Sequence, residues 1–220
     1  MPFCRLPTLL ELANPQHRKL PHWRYEEIKC KACDLLLDLH IDCFPIDPVA
    51  IAHRLGIKLR QYTELSPEAQ LAASNASTDG FTLKNPYGAP IICYNDVMLK
   101  ERIRFTIMHE VWHVILGHTE HSSLAEAEAN FAAGYTLAPP PALHAYAMLG
   151  IDIDIMETCQ LSHEASLNSQ DRYRSWLRWH EGKGDEYRDI HDDNLELSFI
   201  LHLLGADTEE REDIEKNTKA

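Results

Sequence analysis

Residues 102–116 read RIRFTIMHEVWHVIL, and this run constrains the fold more than any other part of the chain. On a helix advancing about 100° per residue, its apolar side chains cover most of the circumference. They are Ile103, Phe105, Ile107, Met108, Val111, Trp112, Val114, Ile115 and Leu116. A helix apolar around most of its girth is buried. One polar stripe interrupts it, carrying Arg102, Thr106, His109 and His113, with Glu110 at its edge. Gly117 marks the stop. The chain must therefore wrap a core around this helix and satisfy two imidazoles and a carboxylate inside it.

A divalent metal satisfies them together. His109-Glu110-x-x-His113 is a short pattern, and chance alone would put it in roughly 6% of chains this rich in His and Glu. The phase adds weight to it. Histidines four apart stack on one helix face and can reach one Zn²⁺, while Glu110 is offset enough to address a metal-activated water without ligating. His118 falls on the opposite face if the helix continues, and His121 lies beyond it, so both are read as solvated. Leu116 and Thr119 replace the Gly and His that a metzincin would need.

The third ligand must come from elsewhere. In the next helix, Glu128 sits in the middle of a stripe formed by Leu124, Phe131 and Tyr135. Glu126 lies on the other side and reads as a capping residue, through Ser123-x-x-Glu126. A carboxylate centred on an apolar stripe is costly without a cation. Zinc supplies one, which makes Glu128 the expected third ligand. A buried salt bridge to Arg102 or Arg104 is the alternative.

The remaining elements are expected to be short. Apolar spacing predicts a helix over about 25–40. Asp47, Pro48 and Gly56 punctuate a second one. Residues 57–62 alternate as a strand, and 81–84 with 90–94 read as a hairpin around NPYG. Helices follow near 140–148, 152–158, 163–179 and 194–204. The order of helices, a small sheet and further helices is that of an α+β domain. Residues 1–22, with four prolines, read as an extended lead-in. Residues 23–180 form the domain, and 181–220 an acidic tail, helical or partly disordered.

The tail holds 13 acidic and 5 basic residues, and the whole chain carries a net charge of −13. That balance disfavours direct nucleic-acid binding, which needs clustered Lys and Arg. No apolar run has signal-peptide or membrane-spanning length, so a cytoplasmic protein without membrane contact is expected. Cys30 and Cys33 form a CxxC pair with no second pair to complete a zinc site. They read as buried structural thiols.

The stretches RIRFTIMHEVWH (102–113) and EAEANFAAGYTLAPP (126–140), supported by residues 25–59 and LSHEA (161–165), resemble the ImmA/IrrE-type metallopeptidases of bacteria and their mobile elements. The likeness covers roughly 25–180. It implies a zincin-like fold, mostly helical, with a small antiparallel or mixed sheet beside the active-site helix. It places metal ligands on His109, His113 and Glu128, with Glu110 as catalytic base and Zn²⁺ as cofactor. It also implies a protein substrate, a helix-turn-helix repressor of a mobile element or stress response. Trp112 stands where the family usually has Gly, and Thr136 and Ala138 where it has larger apolar residues.

On this reading residues 91–94 offer an edge for a substrate strand, and Tyr135 is a candidate oxyanion donor. Two other functions stay open. One is a regulator that keeps the zinc-site architecture but acts by binding. The other is a DNA-binding protein using a helix-turn-helix near 152–179, with Arg172, Arg174 and Arg178.

Overall fold

The computed structural model describes residues 20–120, 122–183 and 189–206. Most of the expected lead-in, His121 and residues 207–220 of the acidic tail lie outside the described residues. The described chain is mostly helical, with one three-stranded sheet.

The order begins with α1 (His22–Asp38), α2 (Pro48–Arg54), β1 (Lys58–Gln61), a 3₁₀ turn (Tyr62–Glu64) and α3 (Pro67–Ala76). Asp47 caps α2 by accepting from the Val49 amide at 2.9 Å, with Pro48 in the first turn. The helix α3 has no sequence forecast. Its cap is legible, since Ser66 accepts from the Ala69 amide ahead of Pro67. Its apolar pattern is not, because Ala73 is its one buried residue.

Then come β2 (Gly80–Lys84) and β3 (Pro90–Tyr94), paired antiparallel with Gly80 opposite Tyr94. β1 pairs with β3 in parallel, Lys58 opposite Ile91, so the sheet is mixed and its order is β1-β3-β2. This corrects one expectation. β3 is central, with both edges occupied, and cannot take up an added strand. β2 is an edge strand.

The central helix, α4 (Lys100–Ile115), packs against both β2 and β3, and against α2 and α5 (Ser123–Leu137). Ile107, Met108, Val111 and Trp112 are buried on it. Each such side chain contributes roughly 1.5–3 kcal/mol, which holds the helix in the core despite its polar stripe. Four further helices follow: α6 (Pro140–Met148), α7 (Ile155–Cys159), α8 (His163–Lys183) and α9 (Ile190–Leu203).

Leu195 and Phe199 of α9 lie in the same core as Ile28, Ala32, Cys33 and Leu36 of α1 and Met108 of α4. A buried carboxylate joins four of these helices. Asp192 (α9) accepts from Tyr135 Oη (α5) at 3.0 Å, Trp176 Nε1 (α8) at 2.7 Å and Cys33 Sγ (α1) at 3.5 Å. Burial raises its pKa, and these donors offset the cost of desolvating it. Tyr135 is thus a core residue, its hydroxyl committed to Asp192, and is not the oxyanion donor. Burial likewise raises the Cys30 thiol to about 12 and holds Cys33 protonated. Both are structural thiols in this environment.

Candidate metal centre

Helix α4 brings His109 and His113 together on its polar stripe. Their Nε2 atoms lie 2.9 Å apart, and the rings meet edge to face. The carboxylate that joins them is Glu126 of α5. Its Oε2 is 3.4 Å from His109 Nε2, and its Oε1 is 3.5 Å from His113 Nε2. His109, His113 and Glu126 thus form one of the clusters of metal-ligand type among the described residues.

Glu128 is drawn away from this centre. Arg24 of α1 holds it with a two-pronged grip, Nε to Oε1 and Nη2 to Oε2, each at 2.8 Å. His118 Nε2 lies 3.0 Å from Glu128 Oε2. Hydrogen bonding to Arg24, reinforced by His118, holds the Glu128 carboxyl below the usual glutamate value. The cation beside the buried Glu128 carboxylate is the Arg24 guanidinium, not Arg102 or Arg104.

The physical reason lies in α5, which is buried on two faces rather than one. Its large side chains point at α1: Phe131 packs edge to face on Tyr25 at 4.6 Å, and Tyr135 approaches Cys33. Another side faces α4, where Thr136 accepts from Trp112 Nε1 at 2.9 Å, and the helix is rich in buried small residues, among them Ala129, Ala132 and Ala133. Small residues let two helices approach closely, so a carboxylate on that side reaches the histidines. Glu126 is on that side. The helix cap is also one residue earlier than expected, because Ser122 accepts from the Ala125 amide at 3.1 Å.

His118 is not solvated either. The helix stops at Ile115, and Gly117 takes φ +68°, the left-handed region glycine adopts without strain. The His118 amide then bonds back to His113 O at 3.0 Å, and Gly117 N to Val114 O at 3.1 Å. This pair of bonds is a Schellman stop, and it folds the next residue over the helix end. His118 Nδ1 comes to 2.9 Å from His113 Nδ1. Gly117 ends the helix before His118, so the helical phase that would put His118 on the opposite face does not extend to it.

Glu110 is buried, and its Oε2 accepts from the Thr82 hydroxyl of β2 at 2.8 Å. Close contact between strand and helix is made possible by Gly80. A Cβ there would meet Thr106 Cγ2 at 2.7 Å and the Cys93 carbonyl at 2.9 Å. Trp112 is fully buried, with its indole N–H turned toward α5. Its Nε1 donates to Thr136 Oγ1 at 2.9 Å, so two departures from the family pattern bond to each other.

The two nitrogens and the carboxylate are spaced 2.9–3.5 Å apart. A tetrahedral zinc with bonds of about 2.0 Å needs ligand spacings of roughly 3.3 Å, so the residues present fit such an ion. The donor set of two imidazoles and one carboxylate is also the type that leaves a fourth position open.

A histidine pair on a buried helix, a carboxylate from the following helix and a second glutamate beside a sheet edge have the arrangement of a zincin-like centre. Comparison with protein families agrees: residues 52–168, just over half of the chain, match the M78 peptidase family, described as the IrrE N-terminal-like domain. The chain belongs to this metallopeptidase family. No curated protein matches it at a significant level.

Of the arginines near 152–179, Arg172 is turned inward, whereas Arg174 and Arg178 are exposed. Arg172 lies against Gly134, donates to its carbonyl at 2.9 Å and rests over the Phe131 ring at 5.6 Å. Arg174 pairs with Asp171, and Arg178 bonds Ser175. No described helix is long and apolar enough to cross a membrane.

Proposed function

We propose that the protein is a zinc-dependent endopeptidase whose metal ligands are His109, His113 and Glu126, with Glu110 as general base. The observation that carries this reading is the convergence of the three donor side chains next to a buried Glu110 held by Thr82. Glu126 takes the place expected for Glu128.

When bound there, zinc would polarise the scissile carbonyl and lower the pKa of the attacking water. Glu110 takes a proton from that water and returns it to the leaving amine. The Thr82 hydroxyl donates to Glu110 Oε2 and so orients the carboxylate for this exchange. Thr82 belongs to the edge strand β2, so a substrate segment added along β2 would lie beside the base.

The substrate we propose is a helix-turn-helix repressor encoded close by. Support for it comes from the ImmA/IrrE resemblance. Co-expression of the two proteins tests the proposal. Wild type should cleave the repressor, and Glu110→Ala should reduce cleavage by at least about 10²-fold while keeping zinc and fold. Cleavage that persists in Glu110→Ala would remove Glu110 from its role. A zinc-loaded wild type that binds the repressor without cutting it would favour a non-proteolytic regulator.

A further inference from the structure

Four side chains form an unbroken polar line from helix α1 to the metal centre. Arg24 grips both oxygens of Glu128 at 2.8 Å, Glu128 Oε2 meets His118 Nε2 at 3.0 Å, and His118 Nδ1 meets His113 Nδ1 at 2.9 Å. The line is shielded: the side chains of Glu128, His118 and Arg24 are 7%, 11% and 17% exposed.

Only one arrangement of protons satisfies this line while His113 serves as a ligand. His113 Nε2 faces His109 and Glu126, so its lone pair belongs there. Its Nδ1 then carries the hydrogen and donates to His118 Nδ1. His118 must carry its own hydrogen on Nε2, which is aimed at Glu128 Oε2. The carboxylate can only accept, and Arg24 can only donate. Every donor has an acceptor, and the line ends on a fixed positive charge.

We propose that His118, Glu128 and Arg24 are positioning residues that fix the tautomer and ring orientation of His113 as a metal ligand. The proposal rests on the metallopeptidase reading above and adds a role for residues outside the ligand set. Hydrogen-bonded partners of ligating histidines are worth about 10–100-fold in metal affinity. The support is one-sided. His109 Nδ1 is buried with no hydrogen-bond partner among the described residues, so His113 is the anchored ligand of the pair. The line also crosses a boundary, since Arg24 lies outside the 52–168 stretch matched by the family. The first helix is therefore wired to the centre it packs beside.

The test is zinc affinity of the full chain, measured by competition with a chromophoric chelator, with circular dichroism of the metal-free protein as the check on fold. His118→Ala should weaken zinc binding about 10–100-fold. His118→Gln should stay within a few-fold of wild type, because its amide can accept from His113 and donate to Glu128. The double variant Arg24→Met with Glu128→Gln removes the charge pair together, avoids leaving one partner alone, and should weaken binding as well. If His118→Ala does not fold, the double variant decides. Unchanged affinity in the folded variants would overturn the positioning role. A wild type that binds no zinc, or binds it equally well as Glu126→Ala, would instead overturn the metal reading beneath it.

Discussion

Two glutamates separated by one alanine have different partners here. Glu126 faces the histidines, and Glu128 faces Arg24 and His118. The stripe that carries His109, Glu110 and His113 is legible in sequence because helix period alone decides which residues share a face. The choice between Glu126 and Glu128 is not, because α5 buries both of its sides and the larger side chains mark the one that Arg24 holds. Arg24 is further hidden by its distance in sequence, 104 residues from Glu128. Trp112 and Thr136 show the same limit at another residue pair. Each departs from the family pattern alone, and only the fold shows the indole N–H donating to the threonine hydroxyl, which in turn bonds Ala132 O at 2.8 Å. Thr136→Val should leave that N–H buried without an acceptor and cost about 1–3 kcal/mol, read by chemical denaturation. A cost near zero would show that the pair contributes packing alone.

At the scale of elements, the centre depends on how closely β2 approaches α4. Gly80 sets that approach, and Thr82, two residues on and on the same face, holds Glu110. Asp79 adds an ion pair to Arg102, with Arg102 Nε 2.5 Å from Asp79 Oδ1. Gly80→Ala would force its Cβ against backbone and a branched side chain, neither of which yields easily. The expected cost is about 1–3 kcal/mol, with a loss of peptidase activity larger than the loss of zinc affinity. Equal losses would mean that β2 supports the metal rather than the base. The hairpin was readable from its turn residues, whereas the parallel pairing of β1 with β3 was not. That pairing joins Lys58 to Ile91 across the whole of α3 and β2, and local sequence carries no record of it.

On the scale of the whole molecule, the folded unit is larger than the stretch the family defines. Helices α1 and α9 lie outside residues 52–168, yet Ile28, Leu36, Leu195 and Phe199 are fully buried in the core shared with α4. Composition and charge spoke to class, and they named no partner for these flanking helices. The metal site is decided by which carboxylate completes it. Calorimetric titration of zinc to saturation tests this directly in the full chain. One zinc per chain is expected for wild type and for Glu128→Gln, the latter with weaker affinity, and none at the tight site for His113→Ala or Glu126→Ala. Tight binding retained by Glu126→Ala and abolished by Glu128→Gln would contradict the account.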